Sequence, residues 1–208
     1  MIKFDYYEFV GFIIPGAITL FGLSLLCPDI KASCFSQNFS VGDLGIFAIL
    51  AYAAGHLIQG IGNAIEWLWW LPWGGMPTNW IPTNKGNLLA NSQIKALEEQ
   101  LPSKLKLNHP ISLKELNIKD WFDITQQVYV CVSSQGRGSK IDALNGNYGI
   151  NRGIASSLLI LLMFAILSDF YSWKCVLLYL AGISIALYRM NHFGKQYARK
   201  LFVEFLQV

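Results

Sequence analysis

Charge is scarce in this chain. Only 14% of its 208 residues are Asp, Glu, Lys or Arg, against about a quarter in soluble globular domains, and several long stretches carry none. That scarcity argues against both an ordinary soluble domain and a disordered chain, since each depends on charged surface. The net charge of +3 is too small for a nucleic-acid footprint, and the bases are not interleaved with aromatics in a stripe, so no nucleic-acid partner is expected. Cysteine is sparse as well. Cys27, Cys34, Cys131 and Cys175 show no CxxC spacing, and His109 and His192 stand alone, so no metal and no cofactor is expected. The Gly136 to Lys140 stretch lacks the spacing of a phosphate loop and follows no strand, and it reads as a helix break. A basic region ahead of the first apolar run is missing too. Asp5 and Glu8 stand there, no small-x-small site follows, and the first run is expected to be a retained helix rather than a cleaved signal.

What is present is apolar, and it comes in blocks. Hydrophobic residues make up 53% of the chain, and the mean hydropathy is +0.38. Phe9 to Cys27 is nineteen residues without a charge, and Leu44 to Ile65 is twenty-two, interrupted by His56, Gln59 and Asn63. A helix needs about twenty residues to cross the hydrocarbon of a bilayer, so both runs have spanning length. Gly153 to Ser168 and Cys175 to Tyr188 are shorter, sixteen and fourteen residues, but the weakly polar Asn145 to Asn151 and Tyr188 to Asn191 can extend them. Tyr171, Trp173 and Lys174 between them suit a membrane interface. The fold class expected is all-α: a polytopic membrane protein of four transmembrane helices with a small cytoplasmic helical region. Two spans plus an interfacial hairpin is the alternative. Residues 1–73 hold the first transmembrane pair, 74–152 the cytoplasmic region, and 153–208 the second hairpin with a cytoplasmic C-terminal helix.

Orientation follows from the bases. The outer segments on this reading, residues 28–43 and 169–174, contain only Lys31 and Lys174, whereas Arg152, Arg189, Lys195, Arg199 and Lys200 flank the other ends of the helices. Both termini and the central segment are therefore expected on the cytoplasmic side of an inner membrane. Trp67, Trp69, Trp70 and Trp73 directly follow the second span and would mark that inner interface.

Within the central segment, Pro77-Thr78-Asn79 and Pro82-Thr83-Asn84 favour turns. Asn91 to Leu101 has helical apolar spacing that Pro102 is expected to end, and Ser112 with Glu115 reads as a capping box before the Trp121, Ile124, Val128, Cys131 stripe. So few large apolar residues make a marginal core, and these helices are expected to pack on the membrane bundle or on another subunit. The C-terminal stripe Phe193, Tyr197, Leu201, Phe205 is expected to pack on the Trp121 helix or to meet anionic headgroups.

The second span carries the most informative pattern. At 100° per residue, Tyr52, His56, Gln59, Asn63 and Glu66 fall within about 80° of one another, giving the helix one polar face. Such a face turns toward a bundle interior or a wet cavity. Two readings follow: interhelix hydrogen bonding, or a path for an ion, proton or ligand. Asp5, Glu8, Arg152 and Arg189 lie at the inner ends of the helices and form a second expected cluster, with Glu66 at the same depth. Gly55, Gly60 and Gly62, with Gly182 and Ala186 in the fourth span, permit close helix approach, and Pro15-Gly16 predicts a kink or local unwinding of the first. Cys27 and Cys34 flank a short outer loop and are a candidate disulfide.

Tyr7-Glu8-Phe9 before Ile14-Pro15-Gly16, Gly55-His56-Leu57-Ile58-Gln59 with Gly62-Asn63, Ile141-Asp142 with Asn145 and Tyr148-Gly149, and the Tyr188-Arg189…Phe193…Tyr197-Ala198 tail together resemble small uncharacterised bacterial four-helix membrane proteins, some of them near antiviral defence genes. The resemblance implies no activity and no site residues. The function expected is a membrane effector or channel-like subunit controlled through its cytoplasmic region. The alternative is a non-catalytic membrane anchor or assembly subunit for a cytoplasmic protein partner. An enzyme is not expected, because only His56 lies deep and no nucleophile matches its depth. The expected partners are the lipid bilayer and further copies of the chain.

Overall fold

The computed structural model describes residues 6–27, 40–107, 110–168 and 172–208, with side chains from residue 9 onward. Six α-helices carry the described chain, and no strand occurs among these residues. They are α1 (Tyr6–Leu26), α2 (Val41–Trp70), α3 (Asn91–Lys104), α4 (Ile118–Ser134), α5 (Ser139–Leu167) and α6 (Trp173–Leu206). Four of them, α1, α2, α5 and α6, are long and apolar enough to cross a membrane. The two apolar runs that are short in sequence belong to helices of 29 and 34 residues, because polar residues continue the helix ahead of the first run and beyond the second.

The chain divides into two compact units. The first comprises Met1–Trp67 with Gly146–Asn191. Helix α5 supplies most of its interior, burying Ala155, Ser156, Ser157, Leu161, Leu162 and Ala165. Small residues let backbones meet here. A methyl added at Gly16 would overlap the Ala51 carbonyl of α2, and one at Gly55 would overlap the Phe12 carbonyl of α1, so only glycine fits at either contact. Helix α1 continues through Pro15 rather than unwinding there.

The second unit comprises Leu68–Asn145 with His192–Val208. Its core gathers Ile81, Leu97, Leu101 and Leu113 with Trp121, Ile124, Val128 and Val132 of α4, and with Leu201, Phe202 and Phe205 of α6. The Trp121 and Phe202 rings stack, with centroids 5.3 Å apart, and the Trp121 indole donates to the Thr78 carbonyl at 2.9 Å. The aromatic stripe at the chain's end thus packs on the Trp121 helix, supplying apolar surface that residues 74–152 lack. Trp70 is buried against Trp80 in this unit, with centroids 5.7 Å apart, whereas Trp67 and Trp73 are exposed.

Two boundaries differ from the sequence expectation. Pro102 lies inside α3, which continues to Lys104. Proline removes one donor near the helix end, and the Leu105 N–H still reaches the Leu101 carbonyl at 3.0 Å, so the last turn survives. The cap of α4 is Asn117, whose side chain accepts from the Asp120 N–H at 2.8 Å. Ser112 opens only a three-residue 3-10 turn with no side-chain cap. The break at Gly136 is as expected: φ is +74°, Gly136 N–H bonds to Ser133 O, and Arg137 N–H bonds to Val132 O, a Schellman closure that requires the left-handed residue.

Candidate functional site

Proline at position 15 has no N–H, so the Gly11 carbonyl of α1 loses its intrahelical donor. The missing donor comes from α2: the Gln59 side-chain amide lies 3.0 Å from Gly11 O and 3.2 Å from Gly149 O of α5. The Gln59 amide oxygen accepts from Arg152 Nη2 at 2.9 Å and Nε at 3.2 Å. Two donors and two lone pairs are a glutamine amide's whole capacity, and all four are used. Gly153 makes room for this junction, since a methyl there would overlap the Pro15 ring and lie 3.0 Å from Gln59 Nε2.

The network continues along α2 toward its Trp70 end. Arg152 Nη1 pairs with the Glu66 carboxylate, and the two side chains are only 20% and 16% exposed. A largely buried guanidinium with both a carboxylate and an amide oxygen has its charge and its planar fork satisfied together. Around it, Ser156 and Ser157 of α5 are fully buried. The Ser156 hydroxyl donates to Arg152 O at 2.8 Å, and the Ser157 hydroxyl to Pro15 O at 2.8 Å. Arg189 of α6 donates to the Asn151 side chain at 3.2 Å, and Asn151 in turn donates to Asn147 O at 2.7 Å.

The five residues of the expected polar face therefore part company. Gln59 and Glu66 enter the network, whereas Tyr52, His56 and Asn63 are exposed. His56 stacks on Phe12, with centroids 3.8 Å apart and planes 16° apart, and receives the edge of Tyr52 at 4.7 Å. Tyr52 also meets Phe9 at 5.6 Å. Neither the His56 ring nitrogens nor the Asn63 amide has a hydrogen-bond partner among the described residues. Of the second expected cluster, Arg152 pairs with Glu66 and Arg189 with Asn151. Asp5, the Glu8 side chain, and Cys34 of the candidate Cys27–Cys34 pair lie outside the described residues.

The residues missed from sequence are the carbonyls of Gly11 and Gly149 and the two serines. Pro15 held the signal for the first: it orphans the carbonyl four residues back, and Gln59 is an amide donor on the neighbouring span. Among the described residues no three His, Cys, Asp or Glu side chains gather to hold a metal. Compared with known families, curated proteins and solved structures, the chain matches none.

Proposed function

We propose that the chain is a subunit of a self-assembling integral membrane protein of the bacterial inner membrane. On this reading it spans the bilayer four times with both termini and the 74–152 region in the cytoplasm, and acts as an effector or channel-like subunit controlled from that side. One observation carries the assembly: His56 and Asn63 are exposed and without hydrogen-bond partners on a helix apolar enough to span. Lipid cannot satisfy them, and a neighbouring helix can. Gly60 lies on the same face, where an added methyl would meet nothing within 4 Å, leaving space for a second backbone. The interior groups Gln59, Arg152 and Glu66 are committed to one another, so a conducting path would run between copies. The link to antiviral defence rests on the resemblance alone.

The anchor reading draws its support from the core of the second unit, in which Trp121, Phe202 and Phe205 are fully enclosed, as suits a preformed docking module. Cysteine labelling tests the topology common to both readings. With native cysteines replaced, a cysteine at Ser36 should react with an impermeant maleimide on intact cells and one at Ser103 should not. Equal labelling would overturn the four-span arrangement. His56→Leu tests the exposed face: loss of the assembled form together with activity supports the self-assembling effector, and a normally assembled, normally active protein removes His56 from both assembly and function.

A further inference from the structure

Beyond Trp70 the chain makes one 3-10 turn, Leu71–Trp73, and a Schellman closure ends it. Gly74, left-handed at φ 78°, bonds through its N–H to Leu71 O at 3.3 Å, and Gly75 N–H bonds to Trp70 O at 3.1 Å, the pairing that this motif requires. The Trp73 carbonyl, left over at the helix end, accepts from Lys85 Nζ at 2.5 Å. Trp80 packs against this turn, buried, with its ring centre 6.5 Å from that of Trp73 and its indole N–H on Gly75 O at 2.9 Å.

The closure leaves apolar surface uncovered. Leu68, Leu71 and Trp73 are 58%, 57% and 47% exposed, and the two leucines share a face at i,i+3 spacing. Positive charge gathers beside them. Lys85 Nζ stands 5.7 Å from the centre of the Trp80 ring, and Lys195 Nζ of α6 stands 5.8 Å from it. One indole thus draws two ammonium groups together, by an attraction that offsets part of their mutual repulsion. Neither lysine forms an ion pair among the described residues, so an anion beside them would relieve the rest.

The occupant follows from chain continuity and charge. The exposed turn directly follows a helix apolar enough to span, so lipid is its nearest neighbour on that reading. Leucine and tryptophan suit the boundary between acyl chains and headgroups, and lysine ammonium groups reach the phosphates there. An anionic leaflet supplies the complementary charge. We propose that Leu68, Leu71 and Trp73 seat in the bilayer interface and that Lys85 and Lys195 select anionic lipid there by holding its phosphate. The inference rests on the four-span reading and adds to it a lipid preference with named residues.

The test uses the full chain in nanodiscs of equal phosphatidylglycerol and phosphatidylcholine, with the lipid that stays bound after release counted by native mass spectrometry. Phosphatidylglycerol should be retained in excess. Lys85→Gln with Lys195→Gln should lower that excess about fivefold per charge removed, and glutamine keeps a donor for the Trp73 carbonyl. Lys114→Gln with Lys119→Gln removes two exposed charges elsewhere in the unit and should leave the excess unchanged. A second measurement needs no lysine variant: a bimane on Leu71→Cys, with native cysteines replaced, should be quenched more strongly by lipid carrying a nitroxide near its headgroup than by aqueous iodide. Equal retention of the two lipids, or an excess unchanged in the Lys85→Gln/Lys195→Gln protein, overturns the proposal. So does stronger quenching by iodide, which places the turn in water, or quenching by neither, which places it under a second copy or another protein. Failure of the four-span topology shows instead in the Ser36 and Ser103 labels, so the two readings fail separately.

Discussion

The Gln59 amide stands 3.0 Å from the carbonyl of Gly11, the acceptor that Pro15 strips of its helical donor. A proline in one helix is thus compensated by a side chain from another, and Arg152 holds the compensating amide from its far side. This arrangement lets α1 carry a proline in its interior and remain helical.

The compensation predicts a coupling. Gln59→Leu should destabilise the first unit by about 1–3 kcal/mol, because it leaves the Gly11 carbonyl and the Arg152 fork short of partners. Pro15→Ala restores a backbone donor to Gly11, so Gln59→Leu should cost about 1 kcal/mol less in that background. Thermal unfolding of the four proteins in one detergent measures the cycle, and additive costs would show that the two residues act separately.

The glycines predict a contrast. Gly16→Ala and Gly55→Ala should each destabilise by about 1–3 kcal/mol or more, since the added methyl meets a backbone carbonyl that cannot move aside. Gly60→Ala meets nothing and should leave the unit's stability unchanged or raise it by up to about 1 kcal/mol, the helix preference of alanine over glycine. Equal losses at all three positions would contradict the α1–α2 packing.

Alkaline pH tests the second unit. Burial raises the Tyr197 hydroxyl to about 12, and the charges of Tyr129 and Asp142 add to the shift. The folded state therefore prefers the neutral phenol. Its contribution is complete below the ordinary value of about 10 and is lost as pH rises from there through about 12. Between pH 9 and 11.5 the melting temperature should fall a few degrees further in the native protein than in Tyr197→Phe. Parallel curves would place Tyr197 in a more open environment.

Much of this fold is readable because a helix that is long and apolar enough to span declares itself by length alone. The polar ends of the helices were harder. Asn145 to Asn151 looks like a weak extension, yet α5 starts at Ser139, since the Schellman closure at Gly136 ends α4 and frees the chain to begin a new helix. Pro102 misleads because its effect depends on how many turns follow, and here less than one does. The polar face of α2 shows the limit of periodicity. Taking Tyr52 as zero, Gln59 and Glu66 lie at about −20° and −40°, while Asn63 and His56 lie at about +20° and +40°. A packing seam close to Tyr52 separates the two pairs, and only the close contacts of Gly16 with Ala51 and of Gly55 with Phe12 fix its position. The network itself needed two backbone acceptors, the Gly11 carbonyl, which Pro15 marks, and the Gly149 carbonyl, which no side chain reveals.

The central claim is that the outer face of α2, with His56, Gly60 and Asn63, meets another copy of the chain. Mass photometry of the protein in lipid nanodiscs tests it most directly. The native protein should give one discrete mass above that of a single chain. Gly60→Leu and Asn63→Leu, each free to fold because its side chain points outward, should shift that mass to the monomer with unit melting unchanged. A native protein that remains monomeric in lipid, or variants that keep the native mass, would contradict the account.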